Sequence, residues 1–312
     1  MSHTLSEKLV IAVASSALFD LSESDRIFRK KGVNGYKKYQ EANIDVTLEK
    51  GVAFPFIKRI LKINSMDAAR RPIEVILLSR NSAETGLRVF RSITHHGLDI
   101  TRGALLSGGP PHRFIKPLGV DLFLSGNSGD VREACANNCP AGHVLAAPLQ
   151  DDEDDDELRV AFDFDGVIGG DSAERVFQER GLDAFQESET EKCNEPLEPG
   201  PLAKLLNKLS ILQAREKIHK NRQPEYKCFL RTSIITARNA PAHERLINTL
   251  KNWHVDVDDV FLLGGLEKAM IINEIRPHIF FDDQPVHLKG LKTPAVHIPF
   301  GVKNQSSRPF ET

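Results

Sequence analysis

Twice along the chain, short apolar runs alternate with amphipathic helical stretches in the same order, and this restricts the fold more than any other feature. Strand-length apolar runs separated by helices specify a parallel sheet covered by helices, an α/β architecture. In the first half the runs are KLVIAVAS, EVILLS, GALLS, VDLFLS and HVLAAPL; in the second they are LRVAFDF, TSIIT, VFLLG, HIFF and AVHIPF. The halves share more than class. Leu48, Glu49 and Gly51 recur as Leu197, Glu198 and Gly200, at the offset that sets Ala14 opposite Asp163 and Ser16 opposite Asp165. Arg80-Asn81 recurs as Arg238-Asn239, and Gly108-Gly109 as Gly264-Gly265. We read two similar α/β halves produced by an internal duplication. By the same anchors Asp282 and Asp283 stand opposite Ser125 and Gly126, so the first half is expected to be a degenerate copy without carboxylates.

At 312 residues and 40% hydrophobic, the chain has enough apolar material for two ordinary cores. The expected division is 1–150 and 158–312, joined by the acidic stretch DDEDDDE at 151–157, read as a solvated, self-repelling linker. The formal charge is −2, of which this stretch supplies −7, so the remainder carries +5. That excess suits a small anionic ligand and is too slight for a nucleic-acid partner. Cys135 and Cys139 form the only close cysteine pair and have no matching second pair, which argues against a zinc site. No segment reaches the roughly 18 apolar residues of a membrane span, and no basic leader precedes the first apolar run. A reducing cytoplasm is the expected location, no membrane partner is expected, and a homo-oligomer is compatible with the composition.

Residues 160–171 read VAFDFDGVIGGD, a buried-strand pattern that ends in two aspartates one residue apart. In a continuing strand Asp163 and Asp165 would share a face, and like charges so close repel. The pair requires a metal, a shared proton, or a strand that bends away.

Three further features follow in the second half, each at or just beyond a predicted strand end: Thr236 closing TSIIT, Lys268 in GGLEK, and Asp282-Asp283 after HIFF. In an open parallel sheet, ligands bind in the crevice outside the carboxyl ends of the strands, so groups distant in sequence can converge there. Arg238 and Asn239 directly follow the TSIIT strand and could reach a substrate; Arg238 could equally cap a surface helix. His95-His96 in SITHHGLDI reads as a helix-end or core pair, because adjacent histidines on a helix point in different directions.

This ordered set resembles the haloacid dehalogenase-like phosphohydrolases, whose motifs are an Asp-x-Asp pair, a Thr or Ser, a Lys and an acidic pair. The resemblance implies a Rossmann-like parallel sheet with a helical cap insertion, here about 172–227. It implies that Asp163 attacks phosphorus to form an aspartyl-phosphate, and that Asp165 protonates the leaving oxygen and later deprotonates water. Thr236 and Lys268 would bind and neutralise the phosphoryl group. Mg²⁺ would be held by Asp163, the backbone carbonyl of Asp165, and Asp282 with or without Asp283.

A narrower resemblance spans both halves. IAVASSALFD, LEKGVAFPFIKRILKIN, TGLRVFRSITHHGLDITRGALLSGG, GVDLFLS, RPHIFFDDQ and HIPFGV are similar to the cytosolic 5′-nucleotidase I family. That family hydrolyses nucleoside 5′-monophosphates, AMP-like ones above all, with Mg²⁺. The first motif differs locally: FDFDGV here stands nearer the wider superfamily than the family's FDGDAV, with both aspartates in place. Two other functions fit the motifs: a phosphatase of the same fold acting on a small ester such as a sugar phosphate, and a non-catalytic nucleotide-binding protein.

Overall fold

The structure is a computed structural model that describes residues 5–147 and 151–305. The chain divides into two compact units, Met1–Asp151 and Asp152–Thr312, each contributing five strands. The first four residues and the end of the HVLAAPL run, Pro148-Leu149, lie outside the described residues.

In the first unit the strands are β1 (Leu9–Val13), β2 (Ile73–Ser79), β3 (Arg102–Leu105), β4 (Leu122–Ser125) and β5 (Ala141–Val144). They lie in the order β3-β2-β1-β4-β5, and all the pairs are parallel. β1 and β2 are buried along their whole lengths. Helices cover both faces of such a sheet, so its central strands read as continuous apolar runs rather than alternating ones. One side of the core joins Val10, Ala12, Ile76, Leu78 and Phe123 to Val131 and Ala134 of the helix Ser128–Ala136.

In the second unit β6 (Leu158–Phe162), β7 (Leu230–Thr236), β8 (Asp259–Leu262), β9 (Ile279–Asp282) and β10 (Ala295–His297) lie in the order β8-β7-β6-β9-β10, again parallel. The strand order matches that of the first unit, with β6 central as β1 is. Phe162 and Phe281 stack across neighbouring strands with ring centroids 5.2 Å apart. Truncating either to Ala would cost about 3–5 kcal/mol. The last strand is shorter than the AVHIPF run: the Ile298 N–H still donates to the Asp282 carbonyl (3.0 Å), and the chain then turns, the Phe300 N–H donating to the Ile298 carbonyl (2.8 Å). Chain connections leave the sheet in opposite directions from β6 and β9, so the crevice between their carboxyl ends is open to side chains from both.

Each unit inserts a helical segment after its first strand. In the first it begins with the helix Ser22–Ala42, broken at Gly32; in the second with the helix Ser172–Glu191, broken at Gly181. Both glycines have positive φ, 62° and 82°, which a residue with a Cβ adopts only under strain. The segment is fastened to the following sheet helix in the same way in both units. The Leu48 N–H donates to Ser92 Oγ (2.9 Å), which donates to the Arg88 carbonyl (2.9 Å). In the second unit the Leu197 N–H donates to Thr249 Oγ1 (3.1 Å), which donates to the Arg245 carbonyl (2.7 Å).

The acidic stretch has basic partners. Arg159 takes Asp155 at 2.6 Å and Glu157 at 2.7 Å, and Asp151 pairs with Arg59 at 2.8 Å with both side chains buried. Neutralisation by arginine thus offsets part of the self-repulsion expected from composition. No helix among the described residues is long and apolar enough to cross a membrane. His96 ends the helix Ala83–His95, bonds the Leu48 carbonyl through Nε2 at 2.8 Å, and packs on Phe19 and Phe54.

Candidate active site

β6 ends at Phe162, and the chain bends at once. The Asp163 N–H still donates to the Phe281 carbonyl of β9 (2.8 Å), but the Phe164 carbonyl accepts from both Ile168 and Gly169 (2.9 and 2.8 Å), closing a tight loop. Gly166, at φ 77°, makes that turn possible. The two aspartates therefore do not share a face. Asp163 turns to Lys268, whose Nζ lies 2.8 Å from its Oδ1, and Asp165 turns to Arg238. Bending, with a separate cation for each carboxylate, relieves the repulsion inherent in the motif.

Lys268 opens the helix Lys268–Ile275 and is 4% exposed. Its ammonium spans Asp163 Oδ1 and Asp282 Oδ2 (2.7 Å), tying the ends of β6 and β9 together. Burial works against the lysine charge, and the two carboxylates outweigh it, holding the group above its ordinary range. Burial pushes the Asp163 carboxyl up to about 7 against the pull of Lys268, with Asp282 adding to the rise. Asp282, the last residue of β9, is held below its ordinary value despite burial by Lys268 and His287; His287 Nδ1 is 3.1 Å from its Oδ2.

Asp283 differs from its neighbour. Its backbone carbonyl accepts from Asn304 Nδ2 (2.9 Å) and faces His297 Nε2 (3.0 Å), which fixes the main chain. Among the described residues its Oδ1 is buried with no hydrogen-bond partner, and burial, then Asp163 and Asp282, push the carboxyl up to about 8. A buried carboxylate oxygen without a donor is costly unless a cation reaches it. A second grouping, Asp163, Asp282 and His287, brings one ligand atom from each within 4.8 Å of the others. In that set the Asp282 oxygens already serve Lys268, the Gln284 N–H (2.8 Å) and His287, so Asp283 is the better candidate to face a cation.

Thr236 ends β7, is buried, and accepts from the Arg238 N–H at 3.2 Å. Asn239 is exposed and lies against Gly264, beyond β8. Arg238 is neither a surface cap nor open to solvent: at 4% exposed, it forks both oxygens of Asp165, from Nε at 2.7 Å and Nη2 at 2.8 Å. Four residues around the site escaped the motif reading: Glu189, Arg245, His287 and Asn304. Glu189 pairs with Arg238 and with Arg245 (2.7 Å). The one sequence signal for Glu189 was the repeat, which sets Gln40 opposite it.

A family model described as 5′-nucleotidase matches residues 1–305. The chain belongs to the 5′-nucleotidase family. Human cytosolic 5′-nucleotidase 1B is 33% identical over 288 residues, covering 90% of this chain and 47% of that protein. This family member therefore spans about half the length of that relative. No solved structure matches the chain. Family membership covers both units, so the acid-bearing strand ends and their carboxylate-free counterparts belong to one 5′-nucleotidase sequence.

Proposed function

We propose that the chain hydrolyses nucleoside 5′-monophosphates of the AMP type to nucleoside and phosphate, with Mg²⁺, in the cytoplasm. The observation that carries this reading is the Lys268 bridge between Asp163 and Asp282, at the carboxyl ends of adjacent strands in a 5′-nucleotidase family member. It supports Asp163 as the nucleophile: its Oδ1 is fixed by Lys268 and by the Phe164 N–H at 2.7 Å, leaving Oδ2 to attack phosphorus. The resulting aspartyl-phosphate is then hydrolysed by water.

In this reading Asp165 donates a proton to the leaving 5′ oxygen in the first step and takes one from water in the second. Thr236 Oγ1 donates to a phosphate oxygen, and Lys268 neutralises charge that develops on the phosphoryl group. The residues present fit a divalent cation, since Asp283 offers a buried oxygen with no hydrogen-bond partner among the described residues. Asp163, the Asp165 carbonyl and Asp283 would hold Mg²⁺, with Asp282 orienting Lys268. The bound ion would screen the carboxylates from each other and from the phosphate dianion. The insertion at about 172–227 acts as a cap that excludes water, and the first unit is a duplicate that has lost the acids. The repeated fastening of the two inserted segments supports this last point. Neither nucleic acid nor a membrane is a partner in this reading.

Phosphate release from a panel of nucleoside 5′-monophosphates and sugar phosphates, with Mg²⁺ and with a chelator, tests the proposal. Release from AMP that requires Mg²⁺ supports it. Release from sugar phosphates alone, or from no ester, refutes it.

A further inference from the structure

We propose that Arg238 is a positioning residue for Asp165, and that the first helix of the insertion holds Arg238 in place through Phe185 and Glu189. The proposal rests on the reading of Asp165 as the acid and base of the reaction.

The guanidinium is committed on every side. Nε and Nη2 fork Asp165 (2.7 and 2.8 Å), while Nη1 donates to the Ala242 carbonyl (3.0 Å) and to Glu189. Its planar face is enclosed by two rings, Phe164 at 5.4 Å and Phe185 at 5.5 Å from Cζ. Four of the five N–H groups of an arginine are thereby used, none of them toward open space. A two-point fork fixes the plane of a carboxylate as well as its distance, which a single hydrogen bond does not. Phe164 belongs to the Asp163-x-Asp165 loop, whereas Phe185 and Glu189 belong to the helix Ser172–Glu191. The rotamer of Asp165 is therefore set jointly by its own loop and by the insertion.

The first unit provides an internal comparison. Arg88 donates to Gln40 Oε1 (3.1 Å) and to the Val46 carbonyl (2.8 Å). Arg245 likewise donates to Glu189 Oε1 (2.7 Å) and to the Glu195 carbonyl (2.9 Å). Gln40 and Glu189 stand at the spacing that sets Ala14 opposite Asp163. One buried arginine in that seat is thus satisfied by a neutral amide. The charged Glu189 appears where a second arginine, Arg238, must also be neutralised. In the first unit the arginine opposite Arg238 is Arg80. There Ser16 replaces Asp165, and Arg80 turns to Asp130 (2.6 Å) and the Gly108 carbonyl (2.7 Å), with its side chain 39% exposed. Burial of this arginine and the acid that balances it thus accompany the aspartate, and a framework role alone would need neither. Buried ion pairs are poor stabilisers compared with apolar packing, so orientation of Asp165 is the better account of the four-charge chain.

The test is single-turnover cleavage of AMP and of p-nitrophenyl phosphate by Arg238→Ala and Arg238→Lys, each alone and in an Asp165→Asn background. Arg238→Ala is expected to slow AMP cleavage by about 10²-fold, with a smaller loss for the activated ester, whose leaving group needs little protonation. The KM for AMP should stay within about twofold, and millimolar guanidinium should restore part of the rate. In the Asp165→Asn background the same substitution should cost no more than about twofold, since a residue acting through Asp165 has nothing left to position. Should Arg238→Ala fail to fold, Phe185→Leu keeps every charge and should give the same pattern at smaller amplitude. Equal losses for the two esters, losses that multiply with Asp165→Asn, or a raised KM at unchanged kcat would overturn the inference and leave the hydrolase reading standing. A parent protein that cleaves neither ester would overturn both.

Discussion

Gly166 leaves the space that the Asp283 carboxylate occupies: a methyl group at Gly166 would stand 2.7 Å from Asp283 Oδ2. The glycine at the turn of the Asp163 loop thus decides where an acid from a different strand end can sit. Gly166→Ala should displace Asp283 and also strain a backbone at φ 77°. We expect a stability loss of about 1–3 kcal/mol, read from denaturant unfolding. We also expect Mg²⁺-dependent phosphate release to fall more than the folded fraction does. Unchanged metal dependence in a folded Gly166→Ala protein would separate Asp283 from the cation.

Asp283→Asn isolates the cation's contribution. Without metal the carboxyl is pushed up to about 8 by burial and by its acidic neighbours, so the amide should leave the melting temperature unchanged or raise it. With Mg²⁺ at about 100 times its dissociation constant, the parent should gain about 2.7 kcal/mol, and the variant should lose most of that gain. Thermal melts with Mg²⁺ and with chelator check both halves of this expectation.

Asp163→Asn should abolish turnover in a folded protein, because the amide keeps the side chain's shape and removes the nucleophile. Lys268 retains Asp282 at 2.7 Å, so the lysine stays paired. Circular dichroism and AMP turnover, measured on the same sample, decide the matter. Retained turnover would exclude an aspartyl-phosphate at this position.

Glu189→Gln leaves Arg238 and Arg245 buried with one acid fewer between them. Removing one partner from a buried ion pair costs about 3–5 kcal/mol, and denaturant unfolding should show a loss of that order. Glu23→Gln, which removes the partner of Arg26 from a pair exposed by 60% and 62%, should leave the unfolding midpoint unchanged.

The Cys135 thiol is pushed up to about 11 by burial, with a partial offset from a backbone hydrogen bond at Ala141. A folded value above the unfolded one contributes stability that is fully present below the unfolded value and lost as pH rises through about 11. At pH 8, mapping of iodoacetamide-labelled peptides should find the exposed Cys228 modified before Cys135. Cys135, half-buried, should react more slowly in the folded chain than in the denatured one.

The parallel sheets and the meeting of Asp163, Lys268 and Asp282 were legible in the sequence for one reason. Strands buried on both faces read as unbroken apolar runs, and the polar residues that end them must lie at one edge of the sheet. Glu189 and Arg245 were not legible, because a charged residue on a helix looks the same whether it meets solvent or a buried partner. The acidic stretch misled in the same way: composition announces repulsion, while Arg59 and Arg159 supply neutralisation from far away or close by in sequence. Nor could the sequence separate Asp282 from Asp283, since adjacent acids are told apart only by what each one faces.

The hydroxyl relays from Leu48 through Ser92 and from Leu197 through Thr249 use a backbone donor, a side-chain hydroxyl and a backbone acceptor. No carboxylate takes part in either. On the duplication proposed above, a copy could shed its acids one substitution at a time without loosening the joint between inserted segment and sheet helix. The same independence allows the reverse experiment: aspartates grafted at Ala14, Ser16 and Ser125 would enter a scaffold whose fastening does not depend on them.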